Sequence, residues 1–94
     1  MKSKFTKSSG NVFVDLGFPP DEVAVLTLRA ELMLALRKLI AAKGWTQVQA
    51  AQELGVTQSR VSDLVRGKHD KFSLDMLVTL AARGGRTVKL RLAV

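Results

Sequence analysis

Residues 46–68 read TQVQAAQELGVTQSRVSDLVRGK and carry the local signals of two short helices joined by a tight turn. Thr46 and Gln49 have the spacing of a capping box, in which each side chain accepts a hydrogen bond from the other residue's backbone N–H. A first helix, predicted over 47–54, ends at Gly55, because glycine adopts left-handed backbone angles without steric cost. This half of the stretch therefore predicts a capped helix followed by a glycine turn.

The second half of the stretch predicts another short helix. Thr57 is suited to cap it, and the apolar spacing extends it over 58–66. The residues predicted to face the core are Val48, Ala51 and Leu54 in the first helix and Val61, Leu64 and Val65 in the second. Two helices of this length, separated by a glycine-led turn, have the geometry of a helix-turn-helix.

The second helix leaves a polar face outside the predicted core. Its members are Gln58, Ser59, Arg60, Ser62, Asp63 and Arg66. Carboxamide and guanidinium groups can make bidentate hydrogen bonds to adenine or guanine edges in a major groove. The chain carries 15 Lys and Arg against 8 Asp and Glu, a net charge of +7, and such a balance favours polyanions. These residues therefore predict binding to double-stranded DNA.

Residues 46–68 also resemble the phage-repressor-like (XRE) helix-turn-helix, whose pattern TQ..AA..LGV.QS.VS.L.RGK is nearly complete here. Over residues 11–94 the chain is similar to the small single-domain XRE regulators that often serve as HigA-type antitoxins. The resemblance implies a mainly α fold, a compact helical bundle with a lambda-repressor-like helix-turn-helix whose recognition helix starts at Gln58. It also implies a sequence-specific transcriptional repressor that acts as the antitoxin of a type II toxin–antitoxin pair and regulates its own operon.

The same resemblance implies a role for each polar position of the motif. Gln58, Ser59 and Arg60 are expected at bases, and Gln47, Thr57, Arg66 and Lys68 at the phosphate backbone. Gln47 is helped there by the positive end of its helix. Asp63 either accepts from a cytosine amino group or orients a neighbouring arginine. Thr46 and Ser62 complete the predicted DNA-binding set.

Around the motif, which spans 46–66, the chain divides into three predicted segments. They are a basic tail with a short extended segment (1–20), the helical domain (21–85) and a C-terminal β-strand (86–94). The extended segment is predicted because Val12, Val14 and Leu16 alternate with other residues. Within the helical domain, one long helix is predicted over 21–43 and a last helix, capped by Ser73, over 74–83. The long helix is apolar around more than one face, which fits either a core helix covered on several sides or a helix that meets a second copy.

The C-terminal segment alternates in the manner of a β-strand. Val88, Leu90, Leu92 and Val94 fall on one side, and Lys89 and Arg91 on the other. A lone strand leaves its backbone N–H and C=O groups unpaired, so it must pair either with residues 12–16 or with its copy across a two-fold axis. A homodimer on a palindromic operator is expected, with those four apolar residues as its seam, because two recognition helices double the contact with DNA.

The composition argues against other classes of function. The chain has no cysteine and a single histidine, His69, so neither a thiolate metal site nor a cysteine nucleophile is available. His69 is expected to be solvated or to contact a phosphate, because it lies among charged residues and not beside an activated nucleophile. We therefore expect no enzyme, no cofactor and no metal. Without an apolar span or a signal peptide, we expect a cytoplasmic, nucleoid-associated protein that does not bind membranes.

Two alternatives to the antitoxin hypothesis stay open at the level of sequence. One is a repressor of the phage or plasmid type that has no toxin partner. The other is a protein-interaction module that uses the helix-turn-helix as a scaffold and recruits a partner through its strand-forming ends. The toxin in particular rests on the resemblance alone, whereas DNA binding rests also on the residues themselves.

Overall fold

The computed structural model describes residues 11–93 and confirms a mainly helical bundle. Its elements are α1 (Val12–Asp15), α2 (Pro20–Lys43), α3 (Gln47–Leu54), α4 (Gln58–Val65), a 3₁₀ turn (His69–Lys71) and α5 (Leu74–Arg83). The helices predicted over 21–43, 47–54 and 74–83 therefore form with almost the predicted bounds. The predicted basic tail up to residue 10, and the predicted dimer contact of Val94, lie outside the described residues.

The long helix α2 is the element around which the others pack. It begins with Pro20, whose fixed backbone angle suits a first helical position, and carries two acidic residues in its first turn. Only its second half is buried, through Met33, Leu36, Leu39 and Ile40. Those four residues fall within an arc of about 120°, and Leu34, which lies outside that arc, is 49% exposed. In its second half α2 is therefore buried along one face, and not on several sides as one of the two sequence-based interpretations expects.

A single apolar core joins α2 to α3, α4 and α5. Its largest fully buried side chains are Met33, Leu36, Leu54, Leu64, Leu77, Leu80 and Val61. Phe72 enters this core from the segment between the 3₁₀ turn and α5. Burying a side chain of this size contributes about 1.5–3 kcal/mol, so the core holds the two motif helices firmly on α2 and α5.

The helix-turn-helix forms as predicted at both helix starts. Thr46 Oγ1 accepts from the Gln49 N–H at 3.1 Å, and Gln49 Oε1 accepts from the Thr46 N–H at 2.9 Å. Gly55 ends α3 with a φ of +69°, in the left-handed region where a β-carbon is penalised. Thr57 Oγ1 then accepts from the Arg60 N–H at 3.1 Å and caps α4. The local signals of the sequence were therefore sufficient to locate the motif.

The predicted inner face of α3 needs one correction. Val48 was expected inside but is 49% exposed, whereas Ala50, which was not singled out, is fully buried. At about 100° per residue, Val48 lies roughly 160° from Ala50 around the helix, so the two cannot share a face. The core takes the side that carries Ala50, Ala51 and Leu54, because the small alanines allow close approach of the neighbouring helices. In α4, Val61 and Leu64 are buried as predicted, and Val65 is half-buried.

The segment predicted to be extended near the N-terminus is helical instead. Val12–Asp15 forms the single turn α1, capped by Asn11, whose Oδ1 accepts from the Phe13 N–H at 2.9 Å. The same asparagine donates from Nδ2 to Thr27 Oγ1 of α2 at 2.8 Å. The alternating pattern was misleading because a good cap and a tertiary hydrogen bond to α2 outweigh the intrinsic preference of a few valines.

The C-terminal β-strand is not found in the described residues. Positions 86–93 form no strand, and the proposed pairing with residues 12–16 is wrong because α1 occupies most of that segment. Val88 is half-buried against the core, whereas Leu90 is 76% and Leu92 is 99% exposed. An alternating segment shows only a strand-like tendency, and it becomes a strand only when another strand pairs with it.

Candidate nucleic-acid interface

The exposed side of α4 carries the polar face that the sequence predicts. At about 100° per residue, five positions of the helix and its cap fall within an arc of about 140°. They are Gln58, Ser59, Ser62, Asp63 and Arg66, and we refer to them as the polar arc. Gln58, Ser59 and Arg66 are exposed and the other two are half-exposed. The buried Val61 and Leu64 lie on the other side of the helix, so the core holds the polar arc outward.

The motif helices are fixed at their ends by contacts within the chain. Besides the caps at Thr46 and Thr57, the guanidinium of Arg83 on α5 donates to the carbonyls of Leu54 at 3.1 Å and Gly55 at 3.4 Å. A cation is favourable at this position because the last carbonyls of a helix are partly negative and lack helical partners. Sequence reasoning missed this contact, since it joins residues about thirty positions apart and has no local signal.

Arg60 does not lie with the polar arc. Its Nη1 donates to the carbonyl oxygen of Lys71 at 2.8 Å, and its guanidinium carbon lies 5.5 Å from the centroid of the Phe72 ring. The helix geometry explains this, because Arg60 is about 60° beyond Asp63 and only about 40° from the buried Leu64. The sequence predicts Arg60 at the bases, whereas the structure brings it to the segment that follows α4.

Asp63 of the polar arc is paired with Lys68. The Lys68 Nζ lies 3.8 Å from an Asp63 carboxylate oxygen, and the Lys68 N–H donates to the Asp63 carbonyl at 3.0 Å. An ion pair at this level of exposure contributes about 0–1 kcal/mol, so it orients the two side chains more than it stabilises the fold. The predicted contact of Asp63 with an arginine is not among its contacts here. Instead, the pair places Lys68 beside the polar arc.

The remaining predicted DNA contacts also lie on the outside of the motif. Thr46 and Gln47 are exposed at the start of α3, and Thr57 is exposed at the start of α4. The hydroxyl of Thr46 and that of Thr57 accept from backbone N–H groups, so their side chains define the helix ends. Both helix starts carry partial positive charge from unpaired N–H groups, which suits phosphate oxygens.

Other kinds of site receive no support from the residues described. No group of three or more His, Asp or Glu that could hold a metal ion occurs among positions 11–93. His69 is exposed in the 3₁₀ turn. The pKa of Asp75 on α5 is lowered, mainly by a hydrogen bond with the side chain of Ser73, and this carboxylate lies in the first turn of α5, outside the motif.

Comparison with known proteins agrees with this geometry. A protein family described as "Helix-turn-helix domain" matches residues 12–93, which is most of the chain. The chain belongs to this helix-turn-helix family. No curated protein matches the sequence. For a helix-turn-helix protein, the second helix of the motif is the one that enters the major groove, and here that helix is α4. Membership of the family thus supports DNA binding and a role as a regulator.

The match spans more than the motif of this helix-turn-helix protein. It includes α1, α2, α5 and the segment after α5, so the match covers the whole described bundle and not α3 and α4 alone. Within positions 11–93, no helix has the combination of length and apolar character that crossing a bilayer requires.

Proposed function

We propose that this helix-turn-helix protein is a sequence-specific transcriptional repressor that reads an operator with α4. The observation that carries the proposal is the polar arc of α4, which is exposed and held outward by a buried opposite face. Carboxamide and hydroxyl groups at its start can pair with base edges, and the capped starts of α3 and α4 suit the phosphates on either side. The net charge of +7 supplies the part of the affinity that is independent of sequence.

A fragment from upstream of the protein's own gene is the first probe for this proposal. Fluorescence anisotropy with that fragment and with a scrambled duplex of equal length measures both affinity and selectivity. Gln58→Ala is expected to weaken binding to the fragment by about 1–3 kcal/mol and to leave the scrambled duplex almost unaffected. Gln52→Ala is the matched control, because Gln52 is an exposed glutamine of α3 outside the predicted DNA-binding set. Equal losses for both variants would reject base reading by α4.

The contact of Lys68 with phosphate is tested on the same two duplexes. Lys68→Ala is expected to weaken binding to both by a similar factor. It should also reduce the slope of log affinity against log salt concentration by about 0.9, the value for one phosphate contact. An unchanged slope would show that Lys68 does not contact the DNA backbone.

We further propose that the protein binds its operator as a homodimer whose seam is the C-terminal segment. Leu90 is 76% and Leu92 is 99% exposed, and Leu90 lines an apolar groove together with Leu28, Leu32 and Val78, among others. A second copy that paired along 86–93 would bury these leucines and satisfy backbone groups that a lone segment leaves to water. Leu28, Leu32 and Ala35, in the middle of α2, line the same groove and give this seam an apolar floor.

The oligomeric state is open to a direct measurement. Light scattering of the wild-type protein at micromolar concentration is expected to give twice the chain mass, and Leu92→Glu is expected to give a monomer with an unchanged helical circular dichroism spectrum. The variant is suitable because Leu92 is 99% exposed and makes no contribution to the core. A wild-type monomer, or a Leu92→Glu dimer, would reject this seam.

The antitoxin role is proposed on the resemblance of residues 46–68 to XRE regulators of the HigA type. It requires a toxin partner, which we expect to be encoded beside this gene and to co-purify with the protein. A repressor of the phage or plasmid type is the second candidate, and it has the same contacts with DNA but no such partner. The exposed leucines of the C-terminal segment also suit a protein-interaction module, which would bind the partner and not the operator. We propose a cytoplasmic, non-enzymatic protein in each case.

A further inference from the structure

We propose that Arg60 is a positioning residue that holds the basic segment 68–71 against the recognition helix, and that it does not read a base. The inference rests on the proposed binding of DNA through α4. The Arg60 guanidinium donates to the Lys71 carbonyl and lies over the Phe72 ring. Both contacts point away from the polar arc and toward the segment that follows α4.

The two partners of Arg60 differ in how firmly they are held. Phe72 is only 2% exposed and belongs to the core, so its ring is a fixed platform for the cation. A guanidinium over an aromatic ring gains electrostatic attraction, and its remaining N–H groups stay available to a carbonyl. The Lys71 carbonyl is the last of the 3₁₀ turn and accepts the hydrogen bond at 2.8 Å. Arg60 therefore joins α4, the turn and the core at one point.

A second tie connects the other end of the same segment to α4. Lys68 is bound to Asp63 both through its backbone N–H and through the ion pair of its side chain. With Arg60 at one end and Asp63 at the other, the segment is held at a set distance from the polar arc. It carries Lys68 and Lys71 together with His69 and the acidic Asp70, so it places two lysines, with a net charge of +1 for the segment, next to the helix.

The chemistry of this segment suits the phosphate backbone. Lysine binds phosphates as a point charge on a flexible stem, and its benefit depends on being held near the groove wall. Arg60 supplies that placement through Lys71, whereas Gln58 and Ser59, at the start of α4, face the groove itself. In this division of roles, loss of Arg60 weakens binding to all DNA sequences, and loss of Gln58 weakens discrimination among them.

The experiment compares Arg60→Met with Lys38→Met on the upstream fragment and on a scrambled duplex at several salt concentrations. Methionine keeps an unbranched apolar stem in place of the arginine and removes the donor and the charge. Lys38→Met removes an equal charge from an exposed position of α2 that lies about 160° around the helix from the buried Leu36. Arg60→Met is expected to lower affinity about fivefold on both duplexes and to reduce the salt slope by about 1–2, the contribution of one or two lysines. Lys38→Met should change neither by a comparable amount.

Two further variants separate positioning from a general loss of structure. In a Lys68→Ala, Lys71→Ala background, Arg60→Met is expected to cause no additional loss on DNA, because the residues through which it acts are gone. Arg60→Lys keeps the charge and a group that donates hydrogen bonds, so it should restore the salt slope and nearly all of the affinity. At a site that reads a guanine with a bidentate fork, the same substitution would not be conservative.

The outcomes are distinct for this inference and for the proposed function. A selectivity that falls about tenfold in Arg60→Met and Arg60→Lys, with an unchanged salt slope, would show that Arg60 reads a base and would overturn the inference alone. An additional loss caused by Arg60→Met in the Lys68→Ala, Lys71→Ala background would also overturn it. A wild-type protein that binds neither duplex would overturn the proposed function and, with it, this inference.

Discussion

Gly84 offers the sharpest test of how tightly the core is packed beneath the motif. A β-carbon built at this position would lie 2.7 Å from Leu39 Cδ2, 3.3 Å from Leu54 Cδ2 and 3.4 Å from the Leu80 carbonyl oxygen. Its φ is −81°, which any residue adopts, so the effect of Gly84→Ala is steric and not conformational. The leucine at 2.7 Å must move, and Leu54, which is fully buried, limits the space into which it can move.

The magnitude follows from two opposing terms. Forcing an extra methyl group into a packed core costs about 1–3 kcal/mol. Replacing glycine by alanine at a compatible φ raises the free energy of unfolding by about 0.4–1 kcal/mol, because the unfolded chain then has fewer conformations to lose. The expected net loss is about 1–2 kcal/mol in the free energy of unfolding. For a domain of this length, that corresponds to a fall in Tm of about 4–16 °C.

Thermal and urea unfolding followed by circular dichroism measure this loss. In a Leu39→Val background, which lacks the clashing Cδ atoms, Gly84→Ala is expected to cost less than about 0.5 kcal/mol, and the difference is the coupling between the two sites. Gly85→Ala is the contrasting control: no atom lies within 4 Å of its β-carbon, but its φ is +86°. Its penalty of about 1–2 kcal/mol should be the same in both backgrounds. An unchanged Tm for Gly84→Ala, or an equal cost with and without Leu39, would refute the packing argument.

Three other substitutions test the ends of the helices. Thr46→Ala removes half of the capping box with Gln49 and is expected to lower the free energy of unfolding by about 0.5–2 kcal/mol, measured by urea unfolding. Arg83→Met removes the donor from the carbonyls at the end of α3 and should cost about 1 kcal/mol, with the α3 amides losing protection in hydrogen exchange. The hydrogen bond with Ser73 lowers the pKa of Asp75 from 3.8. Ionised Asp75 therefore contributes to the free energy of unfolding above about pH 3.8, and this contribution is lost as the pH falls through the lower pKa of the folded state. In Asp75→Asn, the pH dependence of stability below about pH 4 should therefore be weaker than in the wild-type protein, as measured by urea unfolding across that range.

The parts of the candidate site that depend on interactions between near neighbours in the chain could be predicted from the sequence, and the parts that depend on tertiary contacts could not. Thr46, Gly55 and Thr57 each act within a few residues of chain, and all three behave as the sequence predicts. Arg60 has the residue type of a base reader, but its direction depends on Phe72 and Lys71, which approach it only after the chain has turned back. Asp63 was expected to accept from a cytosine amino group or to orient a neighbouring arginine, and in the structure its carboxylate pairs with Lys68.

The amino-acid sequence alone determined the long helix, the two capped helices of the motif, the glycine turn between them and the exposed polar side chains of α4. These features arise from interactions between residues a few positions apart, which do not need the rest of the fold. Only the tertiary structure decided that Ala50 and not Val48 is buried, that residues 12–15 form a helical turn, and that residues 86–93 have no strand partner among residues 11–93. Each of those outcomes depends on which surface lies opposite the segment, and a segment's own pattern of apolar residues contains no information about its neighbour.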